Sequence, residues 1–320
     1  MKHDLTPREP HEPASPRTGV VVHALTAEDA AAVAAMRSQI EPHRGQLQGT
    51  RARQPFDAIM ERVVPAEGVT YDAGEVGGVP GWWCRPARAR AAQVILHLHG
   101  GWFNWGSARA YRHFVGQIAA RAGAVAFVPD YRLAPEHPFP AAVVDTQAAY
   151  QGLVEDGARR IAVVGDSAGG ALGLVLLARA ARGPQASVGA VVLSPVTDLT
   201  LAGPSWEAQA ATDMIFTRDQ AAALVQAYLG GSAATDPTAS PLFGDLVGLP
   251  PIRVHVGGDE MLLDDARRYV ARAVAAGVDA RLDVWQGMQH VFQGGGIGTL
   301  AAAAASLEAI GAFLAQRLNG

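Results

Sequence analysis

Three residue types at separated positions could together perform acyl transfer: a serine, a carboxylate and a histidine. The serine sits in Gly165-Asp166-Ser167-Ala168-Gly169-Gly170, directly after the apolar run Ile161-Ala162-Val163-Val164 and before an alanine-rich stretch from Ala171 to Ala181. A strand that turns sharply into a helix holds such a serine at a strained apex, and glycines two residues away let the two backbones pass. Its hydroxyl stands clear of the sheet, close to a helix N-terminus that favours developing negative charge.

The carboxylate is sought further along, after a later strand, in Val256-Gly257-Gly258-Asp259-Glu260-Met261-Leu262-Leu263-Asp264-Asp265. Asp259 follows the strand directly and is favoured over its neighbour Glu260. Asp264 and Asp265 read as caps of the following helix. The histidine is His290, in the loop Gln286-Gly287-Met288-Gln289-His290 after the last core strand. In that order a carboxylate can orient the imidazole, whose other nitrogen takes the serine proton. A fourth element lies upstream at His97-Leu98-His99-Gly100-Gly101-Trp102. There the N–H groups of Gly100 and Gly101, with that of Ala168, can form an oxyanion hole. Each such donor is worth about 3–4 kcal/mol in a transition state. His99 reads as a brace for this loop.

The elements that must position these groups alternate along the chain. Strands are expected at Gln93–Leu98, Ala124–Val128, Ile161–Val164, Ala190–Leu193, Ile252–Val256 and Ala280–Trp285. Helices are expected near Tyr111–Arg121, Ala141–Val154, Ala168–Arg182, Asp265–Ala276 and Leu300–Leu318. Such alternation gives a mostly parallel sheet with helices on both faces. Glycine-separated β-segments from Gly68 to Pro86 predict an antiparallel pair at the sheet edge.

Two regions fall outside this rhythm. Residues 1–19 read as a loosely docked arm, followed by helices from Thr26 to Ile40 and from Pro55 to Val63. Residues 1–65 are therefore expected to supply an arm and a first cap segment, and 66–320 the catalytic domain. Between Pro195 and Pro251 no core strand appears, and about 199–230 is expected to form a second cap segment. Trp206, Met214 and Phe216 in it, with Trp102, Phe103 and Asp166, are the candidate lining of a substrate pocket.

The chain has 320 residues, 49% hydrophobic and 18% charged, with net charge -4 and one cysteine, Cys84. That charge gives no basic footprint for nucleic acid or anionic membrane. A single cysteine rules out an internal disulfide framework. No run approaches the roughly 18 apolar residues of a membrane span. The proline-bearing N-terminus lacks a signal core, so a cytoplasmic location is expected. No metal-binding cluster or phosphate-binding glycine loop is visible, and no cofactor is called for. A homodimer is left open.

The blocks His99-Gly100-Gly101, Tyr131-Arg132-Leu133-Ala134-Pro135-Glu136-His137-Pro138-Phe139-Pro140-Ala141-Ala142 and Gly165–Gly170, followed by Asp259 and His290, resemble the hormone-sensitive-lipase-like family of bacterial carboxylesterases. The resemblance spans about residues 90–295. It implies an α/β-hydrolase fold with a helical cap, an acyl-enzyme mechanism on short-chain esters, and a bracing role for Tyr131–Ala142. It also implies that Gly100 and Gly101 are the loop's oxyanion donors. The family's fourth loop glycine is replaced by Trp102, whose indole must enter the pocket or pack under the cap. A similar His-Gly-Gly followed by aromatics occurs in arylformamidases, which keeps amides, formamides and lactones open as substrates. An inactive ligand-binding protein on this fold, as in plant gibberellin receptors, would be expected to lack a member of the triad, and here none is missing.

Overall fold

The computed structural model describes residues 19–320; the expected arm at 1–19 falls almost wholly outside them. Nine strands form one sheet: β1 (Val20–His23), β2 (Val69–Val76), β3 (Val79–Pro86), β4 (Arg90–Leu98), β5 (Ala124–Pro129), β6 (Arg160–Asp166), β7 (Gly189–Leu193), β8 (Ile252–Gly257) and β9 (Ala280–Trp285). Their order is β1-β9-β8-β7-β6-β4-β5-β3-β2. Every pairing from β1 to β5 along this order is parallel, and β3 and β2 close the far edge antiparallel. The six expected core strands and the edge pair are all present. β1 was not foreseen: it adds itself in parallel beside β9, with His23 stacked on Trp285 at 3.8 Å and bonded to Asp283.

The helices are α1 (Ala27–Ile40), α2 (Arg53–Met60), α3 (Ala108–Ala122), α4 (Ala141–Glu155), α5 (Ala168–Ala180), α6 (Ser205–Ala208), α7 (Arg218–Leu229), α8 (Leu263–Ala275), α9 (Phe292–Gly295) and α10 (Ala301–Asn319). Strand side chains alternate between the sheet's faces. Val94, Leu96, Leu98, Ile161 and Val163 pack with α4, α5 and α8, whereas Ile95, Ala162 and Val164 pack with α3 and α10. Burial on both faces explains why these strands read as continuous apolar runs.

Local chemistry fixes the helix ends. Thr26 caps α1 by accepting the Asp29 N–H, as its position before the alanine-rich run predicts. Asp29 itself caps a different helix, accepting the N–H groups of Ala301 and Ala302 at the start of α10. Asp264 and Asp265 likewise do not cap their own helix. Asp264 accepts the Ser205 N–H, and Asp265 accepts those of Thr197 and Asp198. Both carboxylates bind the chain leaving β7, whose N–H groups have no strand partner there.

α1, α2 and residues 199–230 lie outside the sheet; α1 and the turn after it hold residues 199–230, and α2 is tied to the Gly100–Trp105 loop. Arg37 donates to the Thr212 carbonyl (2.6 Å), Arg44 to those of Phe216 (2.8 Å) and Ala210 (2.8 Å). Arg53 pairs with Glu136 and also donates to the carbonyls of Asn104 and Ala134. The partly exposed ion pair contributes little; the carbonyl bonds fix where the helices sit over the Gly100–Trp105 loop.

Two glycines decide whether that loop and the elbow can meet. A Cβ on Gly165 would collide with the Gly169 carbonyl, and one on Gly169 with the carbonyl oxygens of Leu98 and His99. Gly169→Ala is therefore expected to destabilise the fold by about 3 kcal/mol, measured by urea unfolding. A loss below about 0.5 kcal/mol would show that the loop can retreat freely.

Candidate active site

Ser167 stands between β6 and α5 at φ 53°, ψ −119°, outside the regions an L-residue ordinarily occupies. Its backbone is held on both sides: its N–H donates to the Leu193 carbonyl (2.8 Å), and its carbonyl accepts from Val196 (3.1 Å) and Ala171 (3.2 Å). The residue is 3% exposed, and its Oγ has no protein partner among the described residues. Ala168 is the first residue of α5, where an N–H has no acceptor within the helix.

Behind the elbow lies a buried polar layer. Asp166 is bonded to His97 Nε2 (3.2 Å) and accepts from the Tyr111 hydroxyl (3.1 Å). A Cβ on Gly100 would collide with the Asp166 carboxylate, and Gly101 turns the chain at φ 109°. His99 Nδ1 donates to the Gly100 carbonyl (2.8 Å), and the Tyr131 hydroxyl donates to the His99 carbonyl (2.6 Å). Their rings stack at 4.3 Å. Burial holds the His99 imidazole below its ordinary pKa, so it is a neutral brace. Arg132 grips Asp145 through two nitrogens, tying the Tyr131 segment to α4.

The structure brings Glu260, and not the expected Asp259, onto the histidine. His290 Nδ1 lies 2.6 Å from Glu260 Oε2, and among the described residues no hydrogen bond or ion pair joins Asp259 to the ring. After β8 the chain is fixed by two bonds, Gly258 N–H to the Trp285 carbonyl (2.7 Å) and Asp259 N–H to that of Met288 (3.1 Å). The turn they define sends position 260 inward beneath the loops and position 259 outward, half-buried and in the field of Arg37. Burial raises the pKa of Asp259, opposed by Arg37. Glu260 is fully buried and satisfied: Oε1 accepts from Ser194 Oγ (2.7 Å) and from the Gly257 N–H (2.6 Å). Ser194 Oγ in turn accepts the Val291 N–H (3.1 Å). Ser194 and Val291 both have positive φ, 46° and 48°. Neither was singled out in the sequence; Ser194-Pro195 directly after an apolar strand was the available signal.

A carboxylate only accepts, so Nδ1 of His290 carries the proton and Nε2 presents a lone pair. Burial pulls the imidazole's pKa down. The charge and hydrogen bond of Glu260, with Asp213 and Asp166 behind it, outweigh burial and leave it raised.

The six candidate pocket residues separate. Trp102, Trp206 and Phe216 form a row: Trp102 lies 6.2 Å from Trp206 and meets Phe216 edge-on at 5.6 Å, and Phe216 meets His290 edge-on at 5.2 Å. Trp102 is therefore packed under residues 199–230 and beside the histidine's neighbour at once. The other three do not join it. Phe103 stacks on Tyr228 at 3.8 Å and anchors α7. Met214 packs against Trp285, Met288 and Phe292 in a separate cluster under α1. Asp166 is turned down into the polar layer behind the elbow.

Residues 95–294 match the family described as the alpha/beta hydrolase fold. An acetyl-hydrolase of Streptomyces hygroscopicus is 37% identical over 257 residues, 79% of this chain and 83% of that protein. An esterase of Acinetobacter venetianus is 37% identical over 211 residues, 65% of this chain and 70% of that protein. A crystal structure of an esterase from the bacterial hormone-sensitive lipase family superposes with a TM-score of 0.85 at 38% identity, covering 92% of this chain and 100% of the other. A hormone-sensitive lipase from a metagenome library gives 0.85 at 36% identity, over 89% and 98%. With the sheet order, the strained serine and these likenesses together, the chain belongs to the α/β-hydrolase family, within its hormone-sensitive-lipase-like esterases.

Proposed function

We propose that the protein is a serine carboxylesterase of short-chain acyl esters, working through Ser167, His290 and Glu260. The observation that carries the reading is the Glu260–His290 bond at 2.6 Å, in the loops beside a serine held at φ 53°. Ser167 Oγ attacks the ester carbonyl as His290 Nε2 takes its proton, and the tetrahedral oxyanion rests on N–H groups of Gly100, Gly101 and Ala168. His290 then protonates the leaving alcohol, and later activates the water that releases the acyl group from Ser167. Glu260 keeps Nδ1 protonated and stabilises the imidazolium formed at each transfer.

Two findings favour a small acyl group. The row Trp102, Trp206 and Phe216 fills the space beside His290 with large rings. A relative across most of the chain is an acetyl-hydrolase. We take α1, α2 and residues 199–230 as the two cap segments that enclose this space. Among the described residues no helix is long and apolar enough to cross a membrane.

A fluorophosphonate probe followed by peptide mapping is expected to label Ser167; labelling elsewhere, or none in folded protein, would remove the nucleophile. Ser167→Ala and His290→Ala should each lower kcat by roughly 10⁴-fold or more without unfolding. Acetyl and butyryl esters should outpace octanoyl esters, N-formylkynurenine and a monoterpene lactone; preference for either of the last two would move the enzyme to amide or lactone hydrolysis.

The acid has its own test. Glu260→Gln should cost roughly 10²–10⁴-fold in kcat, whereas Asp259→Asn should stay near wild type; the reverse ranking would restore Asp259. Activity requires neutral His290, and its pKa is raised. The acid limb of kcat/KM should therefore lie above the ordinary imidazole value of 6.5, and Glu260→Gln should move it to lower pH.

A further inference from the structure

Asp213 lies between α6 and α7, in the segment that covers His290, and the triad chemistry gives it no task. It is 3% exposed, and both of its oxygens are engaged. Oδ1 accepts the N–H groups of Ile215 (2.8 Å) and Phe216 (3.0 Å), closing a tight turn. Oδ2 accepts the Met261 N–H (2.9 Å). Met261 adjoins Glu260, and the Phe216 ring meets the His290 ring at 5.2 Å. One carboxylate thus fixes the backbone beside the acid and the ring that covers the base.

The surrounding bonds leave this turn little freedom. Thr212 Oγ1 donates to the Asp259 carbonyl (3.3 Å), while Arg37 and Arg44 of the N-terminal helical region hold the carbonyls of Thr212 and Phe216. Turn closure alone does not call for a charge. A serine or asparagine can accept the same N–H groups, and burying a carboxylate costs several kcal/mol before compensation. The charge has a use here because His290 must become positive during each proton transfer. Asp213 is one of three carboxylates whose fields act on that ring, with Glu260 after β8 and Asp166 at the elbow. Two cations pack on this side: Arg37, which faces Asp259, and Arg44, which is taken up by the carbonyls of Phe216 and Ala210.

We propose that Asp213 is a positioning residue of the active site, locking the Glu260 loop and Phe216 to the cap and adding its negative charge to those of Glu260 and Asp166 around His290. The proposal rests on the triad reading above, and Ser167→Ala in the same assay separates the two: activity surviving in that variant would sink the triad reading and not Asp213 as such.

The test compares Asp213→Asn, Asp213→Ser and Asp213→Glu on p-nitrophenyl acetate, with melting temperature and fluorophosphonate labelling as controls. The Asn variant should fold and still be labelled, with kcat down about tenfold to a hundredfold and KM little changed. Its acid limb should move to lower pH, because losing the charge lowers the pKa of His290. The Glu variant keeps the charge, so its limb should stay at the wild-type position even where kcat falls. If the Asn variant does not fold, the Ser variant is read by the same criteria. Wild-type kcat and limb in the Asn variant would overturn the proposal. So would a fall in kcat with an unmoved limb, or loss of folding in both Asn and Ser variants, either of which would leave Asp213 a purely structural role.

Discussion

The arrangement depends on one buried carboxylate. Glu260 is buried from solvent, so its oxygens must be satisfied by the protein. They are met by the N–H at the end of β8, by Ser194 after β7 and by His290 after β9. Three loops from three neighbouring strands thereby converge on a single group. Because those strands are parallel, their C-terminal ends share one edge of the sheet, the same edge at which β6 delivers Ser167. The sheet brings the loops close, and the carboxylate decides how they meet.

The strain at this edge has a common logic. Ser167, Ser194 and Val291 all have φ near +50°, a conformation that costs each about 1–3 kcal/mol. Each is held by bonds that over-determine it: Ser167 by Leu193 and Val196, Ser194 by Glu260, Val291 by Ser194. In the proposed mechanism this strain keeps the serine, base and acid in place before substrate arrives, so little reorganisation remains for the reaction itself. Residues 199–230 take part in the same arrangement, since Phe216 reaches His290 and Asp213 reaches the chain beside Glu260.

What the sequence disclosed follows from which constraints are local. The elbow was legible because its sterics restrict residue type at Gly165 and Gly169, and the parallel core because strands buried on both faces must be apolar throughout. The choice between Asp259 and Glu260 was not legible. Two adjacent carboxylates differ only in which way a turn sends them, and that turn is set by the carbonyls of Trp285 and Met288, far away in the chain. β1 escaped notice because Val20–His23 is four residues long and shows no alternation. Where Met214 and Phe103 pack was not legible for a related reason: large apolar side chains in residues 199–230 and the Gly100–Trp105 loop pack wherever space exists, and their spacing carries no record of it. Trp102 was correctly seen as the departure from the family pattern, yet only its contacts with Trp206 and Phe216 tell where the indole goes.

The central claim is that Glu260, His290 and Ser167 act as one unit on an acyl carbonyl. A crystal structure of the fluorophosphonate-inhibited enzyme tests it most directly. The account predicts phosphorus on Ser167 Oγ and a phosphonyl oxygen within hydrogen-bond reach of the N–H groups of Ala168 and the Gly100-Gly101 loop. His290 should lie between the adduct and Glu260. An adduct on another residue, or an imidazole turned to Asp259 with Glu260 left aside, would contradict it.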